Sequence, residues 1–226
     1  MAIANSRGET TGRRGFSGLT WDVTGLSKRA MPEIEGFILV GGASSRMGLD
    51  KARLQLGGHN FVERIAAALG AITKRTSLVG AHEKASGWRL PVTTDVYANW
   101  GSFGGLHAAL AACRATWAAV VACDLPFVSR ELFVRLASLR EDYDAVAPVQ
   151  ADGHPQPLCA LYRVQPCRDC AQLLIASGER RPRSLLRAVN TRWVTPEEWE
   201  DLKDAPRLFN NINTPEDYEQ AKENER

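Results

Sequence analysis

The chain has 226 residues, with 28 basic and 26 acidic side chains and a formal net charge of +2. This near balance is not that of a protein that coats nucleic acid, so any bound anion needs a local cluster of cations. With 44% hydrophobic residues, the chain can bury the core of one large domain or two small ones, and no stretch reaches the roughly 18–20 apolar residues of a membrane span.

The five cysteines do not indicate a disulfide framework, because their number is odd and three of them lie inside apolar runs. Cys167 and Cys170 have the CxxC spacing of a redox pair or of half a metal site. No second CxxC or HxxxH partner accompanies them in the sequence. We interpret them as two cysteines on a helix, in a protein of the reducing cytoplasm.

Short apolar runs alternate with helical patterns from Glu35 onward. Residues 1–30, in contrast, are polar and rich in Gly, Ser, Thr and Arg, which predicts a disordered N-terminal extension or a gene start assigned too early, since Met31 lies just before the first predicted strand. The apolar runs are rich in Val, Ile, Leu and Ala, as is typical of strands buried on both faces. The predicted strands cover residues 37–40, 77–80, 118–122, 145–149, 159–162 and 192–195.

Helical patterns lie between many of these runs, and several have clear start signals. Ser129 is a predicted N-cap, and residues 214–217 offer a cap, a proline at the first helical position and first-turn acids. The predicted helices cover residues 61–71, 105–113, 129–139, 166–177, 196–202 and 215–224. The alternation predicts a single α/β domain of Rossmann-like architecture, with a mostly parallel twisted sheet and helices on both faces. Ligands of such sheets bind at the carboxyl ends of the strands.

A glycine-rich loop, GGASSRMGLDK at residues 41–51, follows the first predicted strand. Its glycines, among them Gly41 and Gly42, allow sharp turns and a close approach to a ligand. Successive N–H groups in such a turn can bind an anion. Arg46 and Lys51 add two positive charges that can reach phosphate oxygens. The loop therefore predicts a polyphosphate ligand.

Two common phosphate-loop patterns do not match this loop. GxxxxGK[ST] fails because Lys51 comes three residues after Gly48 and Ala52 replaces Ser or Thr. GxGxxG fails because the first two glycines are adjacent. These mismatches exclude an ordinary P-loop ATPase and a Rossmann dehydrogenase. A tight βα turn with surface charges is the alternative, and Arg46 and Asp50 beside Gly48 and Lys51 disfavour it.

An acidic residue, Asp124, follows the predicted strand at residues 118–122. Its carboxylate is expected at the same sheet edge as the glycine loop, where its natural task beside a triphosphate is to hold Mg²⁺. The other role, an N-cap of the next helix, already belongs to Ser129. Asp95 is a weaker candidate that could pair with Lys51 or touch the nucleotide or metal.

Several motifs of the chain, and the order in which they occur, resemble those of the nucleotidyltransferases of the molybdenum cofactor pathway, above all the molybdenum cofactor guanylyltransferases. The family pattern LAGGxSxRMGxDK stands here as LVGGASSRMGLDK at residues 39–51, and CDxPF stands as CDLPF at residues 123–127. The segments QPLCALY, GERR and NINTPED match family motifs at residues 156–162, 178–181 and 211–217. The resemblance spans about residues 36–221, and the last three motifs narrow it to the cofactor branch.

The resemblance implies a nucleotidyltransferase domain over residues 31–226 and a reaction. The terminal phosphate of molybdopterin would attack the α-phosphorus of GTP and give molybdopterin guanine dinucleotide and pyrophosphate. GTP and molybdopterin would be the partners, and Mg²⁺ would be the cofactor. The enzyme would be a cytoplasmic monomer that makes transient contacts with other cofactor-pathway proteins or with molybdoenzymes. Because the attacking phosphate is already an anion, we expect catalysis by positioning and charge neutralisation.

The same resemblance assigns roles to residues. It makes Arg46, Lys51 and Asp124 the catalytic set, with Asp124 as the metal ligand. The implied nucleotide and acceptor contacts are Leu39, Gly41, Gly42, Lys51, Asp95, Gly105, Asn211 and Asn213. Arg180 and Arg181 could meet the anionic pterin or could form an exposed cationic helix end.

One departure from the family pattern concerns the base. The GPLAG turn of the family, which borders the base, reads GSFGG at residues 101–105, with Ser102 in place of the proline. CTP-dependent transfer to molybdopterin therefore stays open, as does transfer to another phosphorylated metabolite. A non-catalytic nucleotide-binding module is a further alternative, but such a module would be expected to have lost Lys51 or Asp124.

Overall fold

The computed structural model describes residues 33–40, 51–80, 87–94, 97 and 100–225. The predicted N-terminal extension, residues 41–50 of the glycine loop and Asp95 lie outside these ranges. Within these ranges, each helix is too short or too polar to cross a bilayer.

A seven-stranded sheet forms the centre of the fold, and a small two-stranded sheet lies beside it. The strands are β1 (Ile34–Leu39), β2 (Gln55–Leu56), β3 (His59–Asn60), β4 (Thr76–Val79), β5 (Val92–Thr93), β6 (Trp117–Ala122), β7 (Ala145–Pro148), β8 (Cys159–Arg163) and β9 (Thr191–Val194). The order across the large sheet is β5-β4-β1-β6-β8-β7-β9, while β2 pairs with β3. All neighbours in the large sheet are parallel except at β8, which runs antiparallel to β6 and β7. The predicted mostly parallel sheet is confirmed.

The described part of the chain contains six α-helices, five of them between strands and the last after β9. They are α1 (Phe61–Leu69), α2 (Gly101–Ala112), α3 (Arg130–Ser138), α4 (Val164–Ala176), α5 (Pro182–Ala188) and α6 (Pro215–Glu223). Side-chain caps fix several starts: the Oδ1 of Asn60 accepts the N–H of Glu63 at 2.9 Å, and the hydroxyl of Ser129 accepts the N–H of Leu132 at 3.2 Å. Such caps satisfy N–H groups that have no partner within the helix.

Two helix predictions need correction. The predicted helix over residues 196–202 is wrong beyond a single 3₁₀ turn at Pro196–Glu198. Trp199 ends this turn because its indole N–H donates to the carbonyl of Val149 at 3.1 Å, with the ring in the core. Helix α5 was not predicted, since its seven residues give too few turns for a clear periodic pattern.

Hydrophobic side chains cover both faces of the large sheet. Alternate residues of β1 point in opposite directions, so Ile38 packs in one cluster with α1 and α3, while Phe37 and Leu39 pack in the other with α2, α4 and α5. Each such side chain, when fully buried, contributes roughly 1.5–3 kcal/mol to folding. The two covered faces leave the strand ends as the places where the sheet can meet a ligand.

Candidate functional site

The carboxyl ends of β1 and β6 lie side by side and define the site. Leu39, the last residue of β1, pairs with Ala122, the last residue of β6. The backbone N–H of Cys123 then donates to the carbonyl of Leu39 at 3.0 Å. Asp124 follows immediately, so its carboxylate stands at the edge where the chain leaves β1 for the glycine loop.

Asp124 is half-buried, and its surroundings act on its charge in two directions. Burial raises the pKa of the Asp124 carboxyl, and the positive charge of Lys51 lowers it. The backbone carbonyl of Asp124 accepts the N–H of Ile212 at 3.0 Å. The NINTPED segment is therefore tied through the backbone to Asp124, the residue that the sequence predicts to be the metal ligand.

Lys51 joins the glycine loop to the NINTPED segment. It begins a 3₁₀ turn, Lys51–Arg53, and is only 9% exposed. Its Nζ donates a hydrogen bond of 2.9 Å to the Oδ1 of Asn213. A buried ammonium group needs such partners, because leaving it without compensation in the interior is costly.

Asn213 is in turn held by Asp217 in the first turn of α6. One carboxylate oxygen of Asp217 accepts the N–H groups of Asn213 at 2.8 Å and of Thr214 at 2.9 Å. The hydroxyl of Thr214 accepts the N–H of Asp217 at 3.1 Å and completes a capping box. The two backbone N–H groups lower the pKa of Asp217, which favours its ionised form.

Leu39 and Gly105 contact each other rather than open solvent. Leu39 is 4% exposed, and a Cβ atom added to Gly105 would lie 3.6 Å from both of its terminal methyl groups. The structure thus gives Gly105 a packing role, with α2 lying close over the end of β1. A nucleotide contact at either residue stays a prediction.

We expect Gly105→Ala to keep the fold and to leave the free energy of unfolding unchanged or raised by up to ~1 kcal/mol. A Cβ at 3.6 Å from Leu39 is an ordinary contact, and alanine suits a helix interior better than glycine. Denaturant unfolding measures the change. Gly101→Ala is the matched control and should be destabilised, since Gly101 has a φ of 61°. A clear loss of stability in Gly105→Ala would show that the contact with Leu39 leaves no room for a Cβ atom.

These sequence and structural features agree with comparisons to known proteins. A family model described as MobA-like NTP transferase domain matches residues 36–193, which extend from β1 to β9. The chain belongs to the MobA-like NTP transferase family. It is therefore a nucleotidyltransferase that uses a nucleoside triphosphate, as the resemblance implied.

Relatives of this MobA-like enzyme align with most of the chain. A probable molybdenum cofactor guanylyltransferase of Pelotomaculum thermopropionicum is 33% identical over 194 residues, which cover 85% of this chain and 93% of the relative. One of Bacillus cereus, also named probable, is 33% identical over 199 residues, covering 84% and 96%. The crystal structure of molybdopterin-guanine dinucleotide biosynthesis protein A from Archaeoglobus fulgidus has a TM-score of 0.70 at 28% identity and covers 84% of this chain and 97% of that one.

The structure brings together three of the predicted site residues of this MobA-like transferase: Lys51, Asp124 and Asn213. Gly41, Gly42, Arg46 and Asp95 lie outside the described residues. Asn211 is exposed and lines a different feature, a cavity of about 340 Å³ that also includes Phe127, Arg207, Phe209 and Gln220. The two asparagines of NINTPED therefore face different surroundings.

The GERR segment of the MobA-like chain contacts the residue before α2, a contact that the sequence did not reveal. The guanidinium of Arg180 lies 4.7 Å from the ring centre of Trp100, which directly precedes α2. Arg181 is held by both carboxylate oxygens of Glu179, at 2.9 and 2.8 Å. Of the two arginines, Arg181 thus serves the turn itself, and Arg180 contacts the start of α2. The aromatic residue before the glycine turn was the available signal.

The CxxC cysteines take no part in this site. Cys167 is buried in α4, and its thiol donates to the carbonyl of Asp144 at 3.1 Å. Burial raises the pKa of the Cys167 thiol, and burial also raises the pKa of Cys170 on the same helix. Raised thiol pKa values leave little reactive thiolate. The prediction that both cysteines lie on one helix is confirmed.

Proposed function

We propose that this enzyme transfers GMP from GTP to the terminal phosphate of molybdopterin, giving molybdopterin guanine dinucleotide and pyrophosphate. The observation that carries the proposal is the hydrogen bond from Lys51 to Asn213 beside Asp124. It joins the first and last motifs of the chain at one edge of the sheet. The names of the relatives supply the acceptor and the base, since each contains guanylyltransferase or molybdopterin-guanine dinucleotide.

The protein groups in this proposal act mainly by binding and orienting charge. Lys51 neutralises a phosphate of the triphosphate from its fixed position next to Asn213, and Arg46 adds a second cation. Gly41 and Gly42 supply backbone N–H groups to the same phosphates. The attacking phosphate of the acceptor is an anion, so the chain does not need a strong general base, and rate enhancement comes from alignment and charge neutralisation.

The remaining predicted contacts belong to the nucleotide and acceptor. We assign Leu39, Gly105 and Asp95 to the nucleotide side of the edge, and Asn211 and Asn213 to the side of the incoming phosphate. The catalytic unit in this proposal is residues 31–226. Most of it is spanned by the family match and by the relatives, which cover 84–85% of the chain.

Asp124 fits the role of a Mg²⁺ ligand. Mg²⁺ prefers hard oxygen ligands and is commonly held by one or two carboxylates together with substrate phosphates. Burial raises the pKa of Asp124 and the charge of Lys51 opposes it, so among the described residues the effect of burial on this carboxylate outweighs that of its neighbouring cation. Mg²⁺, when bound, would neutralise phosphate oxygens and help to orient them. Asp124 would hold it at the end of β6.

The proposal predicts pyrophosphate release that requires both GTP and molybdopterin. We expect the purified protein with Mg²⁺ to release pyrophosphate from GTP only when molybdopterin is present, because the acceptor phosphate is the nucleophile. CTP and ATP, each with and without molybdopterin, are the comparisons, and a known guanylyltransferase is the positive control. Preference for CTP would keep the chemistry but assign cytidylyl transfer. Turnover independent of molybdopterin would indicate another acceptor, and no release with any nucleotide would favour a binding module.

A further inference from the structure

A continuous set of hydrogen bonds leads from Asp217 to the Nζ of Lys51. The backbone N–H of Asn213 donates a hydrogen bond of 2.8 Å to the carboxylate of Asp217. The Nζ of Lys51 donates a hydrogen bond of 2.9 Å to the side-chain oxygen of Asn213. Lys51 is 9% exposed, while Asn213 is exposed and lies in a loop between elements. The position of the buried cation therefore depends on how firmly this loop is held.

We propose that Asp217 is a positioning residue for nucleotidyl transfer, which fixes the backbone of Asn213 and thereby holds the ammonium group of Lys51 in place for the triphosphate. This inference rests on the proposed function of Lys51 in triphosphate binding. Asp217 itself does not touch the substrate in this scheme. Its carboxylate acts through two successive hydrogen bonds.

A comparison with α1 separates this role from ordinary helix capping. In α1, the capping box consists of Asn60 and Glu63, and the carboxylate of Glu63 accepts the N–H of the cap residue at 3.0 Å. In α6, Asp217 makes the same contact with Thr214 and adds a second one to Asn213, one residue before the cap. Capping requires only the first contact. The second contact extends the hold of the carboxylate to the residue that binds Lys51.

Electrostatics supports the same connection. The N–H groups of Asn213 and Thr214 are the main causes that lower the pKa of Asp217, and the positive charge of Lys51 contributes in the same direction. Asp217 thus lies within the electric field of Lys51. A charge at this distance acts on the cation as well as on the loop.

The test compares Asp217→Asn with two control variants. Asp217→Asn keeps the size of the side chain but weakens both contacts to the loop N–H groups. We therefore expect kcat/KM for GTP to fall about 10- to 100-fold, the size of loss that a misplaced catalytic group can cause. Thr214→Ala removes the hydroxyl that caps α6 yet leaves the contact of Asp217 with Asn213. It should lower the melting temperature and keep kcat/KM within about twofold. Glu216→Gln removes a neighbouring first-turn charge and should have little effect on either.

A binding cycle tests whether Asp217 acts through Lys51. Calorimetry with Mg²⁺ gives the Kd of GTP for the unchanged protein, Asp217→Asn, Lys51→Ala and the double variant. If Asp217 acts through Lys51, its substitution weakens binding in the unchanged background and adds little once Lys51 is absent. Equal effects in both backgrounds, or equal losses of activity in Asp217→Asn and Thr214→Ala, would overturn the inference. If the unchanged protein neither binds nor turns over GTP, the proposed function fails. If the unchanged protein binds and turns over GTP and Asp217→Asn does so equally well, only the positioning role of Asp217 is rejected.

Discussion

Asp124→Ala is expected to lower the proposed guanylyl transfer by about a hundred- to a thousand-fold while the fold stays intact, the size of effect typical for the loss of one electrostatic contact in an active site. The half-buried carboxylate stands at the end of β6, beside the charge of Lys51. The backbone carbonyl of Asp124 accepts the N–H of Ile212 in the NINTPED segment, and the substitution does not remove this contact. Initial rates of pyrophosphate release with GTP and molybdopterin measure the loss.

Two measurements make the Asp124 result specific. Asp169→Ala removes an exposed carboxylate on α4 and should leave the rate unchanged. Far-UV circular dichroism and the melting temperature of each variant check that the sheet is preserved. Activity of Asp124→Ala close to that of the unchanged protein would show that this carboxylate does not hold the metal or align the phosphates.

The sheet was predictable from the sequence because its strands are short apolar runs between helical patterns. All six predicted runs form strands, and their alternation with helices indicated a mostly parallel arrangement. The direction of β8 was not predictable, since the apolar run at Cys159–Arg163 has the same pattern whichever way the strand runs. Strands β2, β3 and β5 have two residues each, which is too short for a periodic signal.

The site was predictable in its parts but not in its connections. Asp124 follows a buried strand and Lys51 ends a glycine loop, so local patterns place both at the carboxyl edge. The bond between Lys51 and Asn213 joins residues 162 positions apart, and no local pattern signals such a contact. The spacing of Thr214 and Asp217 predicted a helix start. Only the folded chain links that start to Lys51, through the N–H of Asn213.

Lys51→Ala is expected to weaken the use of GTP by about a hundred- to a thousand-fold in kcat/KM. The substitution removes the cation that we assign to the triphosphate and leaves the Oδ1 of Asn213 without its present donor. Since Lys51 is 9% exposed, its charge acts in a partly desolvated place, where electrostatic interactions are stronger than at the surface. Steady-state kinetics over a range of GTP concentrations separates the effect on KM from that on kcat.

Lys203→Ala is the matched control for this loss, since Lys203 is an exposed lysine in the segment between β9 and α6. It removes the same charge from the chain and should leave the kinetics unchanged, which excludes a general effect of net charge on an anionic substrate. A rise in KM alone would mean that Lys51 binds the triphosphate equally in the ground state and the transition state. A fall in kcat as well would mean that its contact strengthens as pyrophosphate leaves. Because Asn213 holds the ammonium group in a fixed position before the reaction, we expect the second pattern, and near-normal kcat/KM would contradict the role assigned to Lys51.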